Sequence, residues 1–169
     1  MHELRALAAL PIGPGACSVM DRGYIDFARL YRFDQHQAFF ITRAKRNMDF
    51  TRQSSTPVDK STGLRSDRII RMCGPKTSLD YADPLRRISF YDDEHQKRFV
   101  CVTNHLMLPA MRIAQLYKAR WRVELFFKWI KQNLRIKAFY GHTINAVKTQ
   151  IWIAISVYLL VAILRKQMH

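Results

Sequence analysis

Aspartate is missing from the first twenty residues, and Glu3 is the only acid among them. Acid is scarce throughout: 13 Asp plus Glu stand against 28 Lys plus Arg, a net charge of +15 and a pI near 10.2. A surplus of that size on a globular chain points to a polyanion partner. Only three cysteines occur (Cys17, Cys73 and Cys101), and neither a Cys-x-x-Cys pair nor a Cys/His cluster with zinc spacing is formed. That excludes a zinc module and predicts small buried thiols in a reducing cytosol. The six histidines are equally scattered, and none reads as a metal ligand. Met1–Leu10 carries Glu3 and Arg5 and no long apolar run, so it is not a signal peptide. The one strongly apolar stretch, Ile151–Leu164, is short for a bilayer span and is bracketed by Lys148 and Arg165. It reads as a buried core helix, with no membrane among the expected partners. A basic protein anchored through this stretch is the competing reading. No internal repeat or low-complexity tract appears.

What is present is enough for one domain with a real core: 169 residues, 49% of them apolar. His2–Leu10 reads as a short helix, broken by Pro11-Ile-Gly-Pro-Gly15. Ala16–Met20 is an apolar run that ends at Asp21, the pattern of a buried strand with a carboxylate at its C-terminal end. Tyr24–Gln35 reads as an amphipathic helix, with Ile25, Ala28, Leu30 and Tyr31 among its apolar positions. Ala38–Arg43 reads as a second core strand. Residues 1–43 thus form strand, helix, strand, a parallel crossover pattern.

Residues 44–108 change character. Lys45–Asp83 is polar and broken by turn residues, and β-rich runs follow at Asp67–Met72, Leu85–Tyr91 and Lys97–Thr103. Asp92-Asp-Glu94 reads as a hairpin turn. The block reads as a small antiparallel β insertion in the same domain. Its cations, with Arg43 at its edge, read as exposed: Lys45, Arg46, Arg52, Arg65, Arg68, Arg71, Arg86 and Arg87. Residues 109–169 read as helical. Pro109 starts a long helix to about Arg135, with an apolar stripe of Ile113, Leu116, Val123, Phe127, Ile130 and Leu134. After a turn at Gly141-His-Thr143, Thr143 caps a last helix running to about Lys166.

On that long helix, Tyr117, Arg120, Glu124 and Lys131 fall within an arc of about 60° at roughly 100° per residue. One carboxylate is then flanked by two cations and a phenol, an arrangement suited to a metal-bound phosphate. Asp21 and Glu124 are the two carboxylates chosen as metal ligands, since Mg²⁺ sites for phosphoryl transfer use a few carboxylates, waters and substrate phosphate. Each has a plainer reading that stays open. Asp21 caps the helix after it, and Glu124 pairs with Arg120 or Lys128 along its own helix. Tyr117 has a plainer reading as a half-buried helix tyrosine, and Arg120 and Lys131 as a solvated face.

Asp21-Arg22-Gly23-Tyr24 after an apolar strand resembles the second-aspartate motif of bacterial insertion-sequence DDE transposases. Tyr117-x-x-Arg120-x-x-x-Glu124-x-x-x-x-x-x-Lys131 is similar to the Tyr-Arg-Glu-Lys signature of one group of them, as are the surrounding Tyr117–Lys131 and the later Asn145–Trp152 stretch. The resemblance implies an α/β, ribonuclease H-like fold: a mixed sheet flanked by helices, with an antiparallel β-strand insertion before the long catalytic helix. It implies that Asp21 and Glu124 are the second and third members of an Asp-Asp-Glu metal triad. Mg²⁺, with Mn²⁺ as an alternative, would then serve strand cleavage and strand transfer in DNA transposition. Tyr117, Arg120 and Lys131 would contact DNA phosphates. Implied partners are double-stranded DNA (transposon ends and target) and further copies of the chain, in a bacterial cytoplasm near the nucleoid. The chain departs from the family in having no aspartate upstream of Asp21. A truncated catalytic domain, inactive alone, is therefore expected, with a non-catalytic basic DNA-binding remnant as the alternative. The insertion also lacks tryptophan, so Phe90, Tyr91 and Phe99 read as strand core and not as base-stacking groups.

Overall fold

The computed structural model describes residues 12–94, 96–133 and 143–167, divided into two units after Arg120. The first unit runs β1 (Cys17–Met20), a 3-10 turn at Arg22–Tyr24, α1 (Phe27–Gln35), β2 (Phe39–Arg43), β3 (Phe50–Thr56) and β4 (Leu64–Met72). A single turn α2 (Thr77–Asp80), β5 (Leu85–Asp92), β6 (Lys97–Thr103) and α3 (Ala110–Ala119) complete it. The second unit holds α4 (Trp121–Asn133) and α5 (Ile144–Gln167). The helix expected at His2–Leu10, the break at Pro11, Glu3, the helix end at Leu134-Arg135 and the Gly141-His142 turn lie outside the described residues.

The six strands form one mixed sheet in the order β1-β2-β6-β5-β4-β3. β1 and β2 are parallel, from Cys17 opposite Phe39 to Met20 opposite Thr42, and α1 makes the crossover between them. On its other side β2 runs antiparallel to β6, so the middle strands extend the same sheet. This is the α/β class with a mixed sheet that the sequence predicts. β1 is not the buried strand expected of it. Among the described residues it pairs with β2 alone, with Cys17 exposed and Met20 its one buried side chain.

Helix α1 starts at Phe27 and not Tyr24, because Asp26 caps it by accepting a hydrogen bond from the Arg29 amide (3.3 Å). Its buried face is Phe27, Leu30 and Phe33, while the expected Ala28 is exposed. Those three rings and chains pack on Phe40, Ile70, Met72, Leu85 and Val102, on one face of the sheet. Each such burial is worth about 2 kcal/mol. The opposite face carries Ile41, Ile88, Phe90 and Cys101, covered by Ile113, Ala114 and Tyr117 of α3. Phe90 stacks on Phe99 at 5.4 Å, so these aromatics do serve the strand core.

Several expectations fail for identifiable reasons. β3 goes unforeseen because only Phe50 among its residues is shielded, and an exposed polar edge strand has no alternation to read. Cys17 and Cys73 are exposed, one on the edge strand and one just past β4; only Cys101 is buried. Arg86 is not an exposed cation but a buried one. Its Nε and Nη2 donate to Asp67 (2.9 and 2.6 Å), and its Nη1 donates to the carbonyls of Leu106 and Leu108. The long helix is interrupted at Arg120, whose amide turns back to the Tyr117 carbonyl in an i to i+3 bond. The apolar stripe therefore does not run through: Leu116 and Val123 are exposed.

Within the second unit, Tyr158 of α5 meets Phe126 (4.7 Å) and Trp129 (5.3 Å) of α4 edge to face. Thr143 caps α5 as expected, accepting from the Ala146 amide. The buried-core reading of Ile151–Leu164 is corrected. Trp152, Ile153, Leu159, Leu160, Ile163 and Leu164 are all more than half exposed, and Ala154 is the buried residue. The reason is that α5 is apolar all round, so one packed side leaves the others open. Ile144–Leu164 is long and apolar enough to cross a membrane, by length and composition alone.

The Arg86–Asp67 pair predicts that Arg86→Met, which strands a buried carboxylate, costs about 3–5 kcal/mol, while the double change Arg86→Met/Asp67→Leu recovers most of it. Urea unfolding of the three proteins measures both.

Candidate nucleic-acid interface at the ends of the parallel strands

Parallel strands β1 and β2 end side by side, so the residues that follow their last shared rung, Asp21 and Arg43, face a common edge. Ligand sites gather at the carboxyl ends of such strands. Thr42 Oγ1 donates to the Asp21 carbonyl (3.2 Å) and fixes the exit of the chain from β1. The Asp21 carboxylate is half-buried and accepts the Arg22 amide at 2.7 Å, capping the 3-10 turn. The plainer reading of Asp21 is thus met in part. One hydrogen bond orients the group and leaves most of a carboxylate's roughly four lone-pair sites for another partner.

Tyr117 reaches the same place from α3. Its ring is buried in the core, at 4% exposure, beside Phe99 at 5.9 Å, so the half-buried reading understates it. Burial pushes its phenol up from the ordinary range; Arg120 and Arg43 pull it down, and Cys101 and Asp21 push it further up. The net shift is upward, so the hydroxyl is a neutral donor at physiological pH. Arg120 lies over the Tyr117 ring at 5.6 Å, and Arg43 over the Phe99 ring at 5.3 Å. Asp21, Arg43, Tyr117 and Arg120 therefore share one corner of the first unit: one carboxylate, two guanidinium groups and one phenol.

Glu124 and Lys131 belong to the second unit. Glu124 is exposed in the first turn of α4, where an acid suits the helix dipole. Lys131 is on the same helix, with its side chain outside the described residues. Among the described residues no three Asp, Glu, His or Cys side chains gather as a metal cluster. The carboxylates present are hard oxygen donors of the kind Mg²⁺ or Mn²⁺ takes, but the corner itself holds one of them, between cations.

From the sequence alone Arg43 reads only as an exposed charge. The signal that places it in the site was available: two parallel strands, one ending in Asp and the next in Arg.

Residues 2–160 match the family model of the transposase DDE domain. The chain belongs to the DDE transposase family. It is 35% identical over 158 residues to a putative transposase of Sinorhizobium fredii, covering 91% of this chain and 44% of that protein. It is 32% identical over 142 residues to a probable transposase for an insertion sequence element of Geobacillus stearothermophilus, covering 84% and 37%. A putative insertion-sequence transposase of Synechocystis is 25% identical over 156 residues, covering 87% and 40%. The chain thus spans less than half the length of these relatives. The family in general uses divalent metal ions and acts on DNA.

The raised phenol gives a pH test. A buried tyrosine held neutral adds stability below the unfolded-state pKa of about 10, which is lost as pH rises beyond it. Tyr81, buried beside Asp34, is raised in the same sense. Stability is expected to fall above about pH 10, and less steeply in Tyr117→Phe than in the parent, as followed by urea unfolding across pH.

Proposed function

We propose that this chain serves DNA transposition as part of a DDE transposase catalytic domain. The observation that carries the reading is the corner where Asp21 meets Arg43, Tyr117 and Arg120. In the ribonuclease H-like frame proposed for it, β1 and β2 are core strands, residues 44–108 are the β insertion, and Tyr117, Arg120, Glu124 and Lys131 are the signature of the Tyr-Arg-Glu-Lys group. Asp21 and Glu124 are the proposed ligands of Mg²⁺, with Mn²⁺ as a substitute. When bound, the ion supplies Lewis acidity to the scissile phosphate and acidifies the attacking hydroxyl.

The protein's own groups do the rest. Arg120 and Arg43 seat phosphate oxygens, with the fork geometry of guanidinium favouring two bonds to one phosphate. Tyr117 donates a hydrogen bond to a phosphate oxygen, keeping its proton and adding no charge. Lys131 adds a point charge along the strand. Asp21 is held by the Arg22 amide, so little ordering remains when it takes up a cation. The proposed partners are transposon-end and target duplexes, together with other copies of the chain, in a bacterial cytoplasm near the nucleoid.

The second reading is a DNA binder without turnover. It is favoured by the guanidinium groups of Arg43 and Arg120 that crowd the Asp21 corner.

The two readings part in a fluorescence binding assay with short duplex DNA. If Glu124 is a ligand, Mg²⁺ tightens binding severalfold, and Glu124→Gln removes that gain while leaving metal-free binding intact. Metal-blind binding, equal in the two proteins, rejects the ligand role and leaves charge-driven binding.

A further inference from the structure

The face of the sheet that carries α1 changes character along the strands. Under the helix it is Phe40, Ile70, Met72, Leu85 and Val102. Further along β4, β5 and β6 the same face presents Arg68, Arg87 and Arg98. Arg68 and Arg87 are directly opposite one another across the β4–β5 ladder. Like charges in that position repel. Arg87 feels it: burial lowers its pKa first, and Arg68 and Arg98 lower it further.

A cavity of about 310 Å³ opens there, and its polar wall is Arg22, Arg43, Lys45, Arg46, Arg87 and Arg98. No acid lines it, and among the described residues none of the six cations is in an ion pair. Arg87 is held over the Phe50 ring at 5.1 Å, and the Arg98 Nε donates to Ser89 Oγ at 2.8 Å. Both guanidinium groups are therefore braced in the cavity wall despite their repulsion. Six unneutralised cations around one concavity weaken the fold unless an anion enters.

We propose that this cavity is a second phosphate-binding site, which takes the sugar–phosphate backbone of a DNA strand leaving Asp21. The inference rests on the transposition reading and goes beyond it, because it puts a DNA contact on the α1 face of the sheet, away from Tyr117 on the α3 face. Arg43, which belongs to both, and Arg22, which follows Asp21 directly, join the two places. A free nucleotide offers the same phosphate chemistry, but the wall runs on from Arg98 and Arg87 to Arg68 along the sheet, which suits a strand better than one compact anion.

The test compares the parent chain with Arg87→Gln/Arg98→Gln, Arg87→Lys/Arg98→Lys and Arg120→Gln. Short duplex DNA is titrated across a range of salt, and a fluorescent nucleoside triphosphate is titrated in parallel. The Gln pair is expected to bind duplex about tenfold more weakly, with a log–log salt slope shallower by roughly two, one per lost phosphate contact. The Lys pair restores the slope. The thermal midpoint of the Gln pair stays level or rises, since repulsion is relieved, and this separates lost binding from lost folding. The inference is overturned if the Gln pair binds duplex like the parent while Arg120→Gln is weaker; the transposition reading then survives. It is also overturned if only the nucleotide depends on Arg87 and Arg98. A parent chain that binds no duplex at all rejects the transposition reading and this inference together. Loss in the Gln pair without any Mg²⁺ effect supports the cavity and rejects the metal role.

Discussion

The first unit depends on one strand, β2. Among the described residues it is the only partner of β1, and it joins that parallel pair to the antiparallel strands through β6. Phe40 and Ile41 point to opposite faces and are fully buried, one in each core. The backbone is pinned as well: the Phe40 amide donates to Asn104 Oδ1 at 2.9 Å, and Thr103 Oγ1 donates to the Phe40 carbonyl. Asn104 in turn donates to Asp34 of α1 and to the Ala38 carbonyl. A strand buried on both faces has no freedom to slip in register, because a one-residue shift would exchange the two cores. That rigidity sets Arg43 beside Asp21 and, through β6 and α3, brings Tyr117 to the same corner.

Much of this was readable in the residues, and what was missed has a pattern. Strands with an apolar face announce themselves: β1, β2, β4, β5 and β6 fall where the apolar runs lie. So do the crossover helix and the Thr143 cap. Exposure is what sequence reading handles badly. Ala16–Met20 is apolar enough for a central strand, yet among the described residues only β2 pairs with it and only Met20 is buried. Arg86 is charged, yet it is buried because Asp67 and two carbonyls await it three-dimensionally. For the candidate site, the motif residues Asp21, Tyr117 and Arg120 were legible from spacing and resemblance. Arg43, Arg87 and Arg98 were visible only as charges, since their convergence is a product of strand register. The arc argument for the signature holds within a regular helix and loses its force at Arg120, where the helix is interrupted.

The second unit poses the opposite problem. α5 carries aliphatic and aromatic side chains around its whole circumference, and α4 meets it through Phe126 and Trp129 on Tyr158. Exposed apolar patches beyond a few hundred Å² are rare on soluble monomers and mark surfaces that something covers. A helix of this kind gains little from its own propensity and much from burial. The unit's stability is therefore tied to whatever occupies those sides.

Charge links the fold to the proposed chemistry. Acids are few, and the structure spends many of them on itself. Asp26 and Asp59 cap turns, Asp34 holds Tyr81 and Asn104, Asp67 neutralises Arg86, and Asp92 takes Lys118 at 2.6 Å. The six cations around the α1-face cavity, by contrast, have no ion pair among the described residues. At the Asp21 corner this bears on the proposed metal site. A bare divalent ion approaching Asp21 would meet the guanidinium groups of Arg43 and Arg120 close by. A DNA phosphate would be drawn in first by Arg43 and Arg120, and its negative oxygens would then offset the cations and complete a ligand set for the ion. Were Asp21 and Glu124 to hold the proposed ion, metal and DNA would each raise the other's affinity by reciprocal linkage.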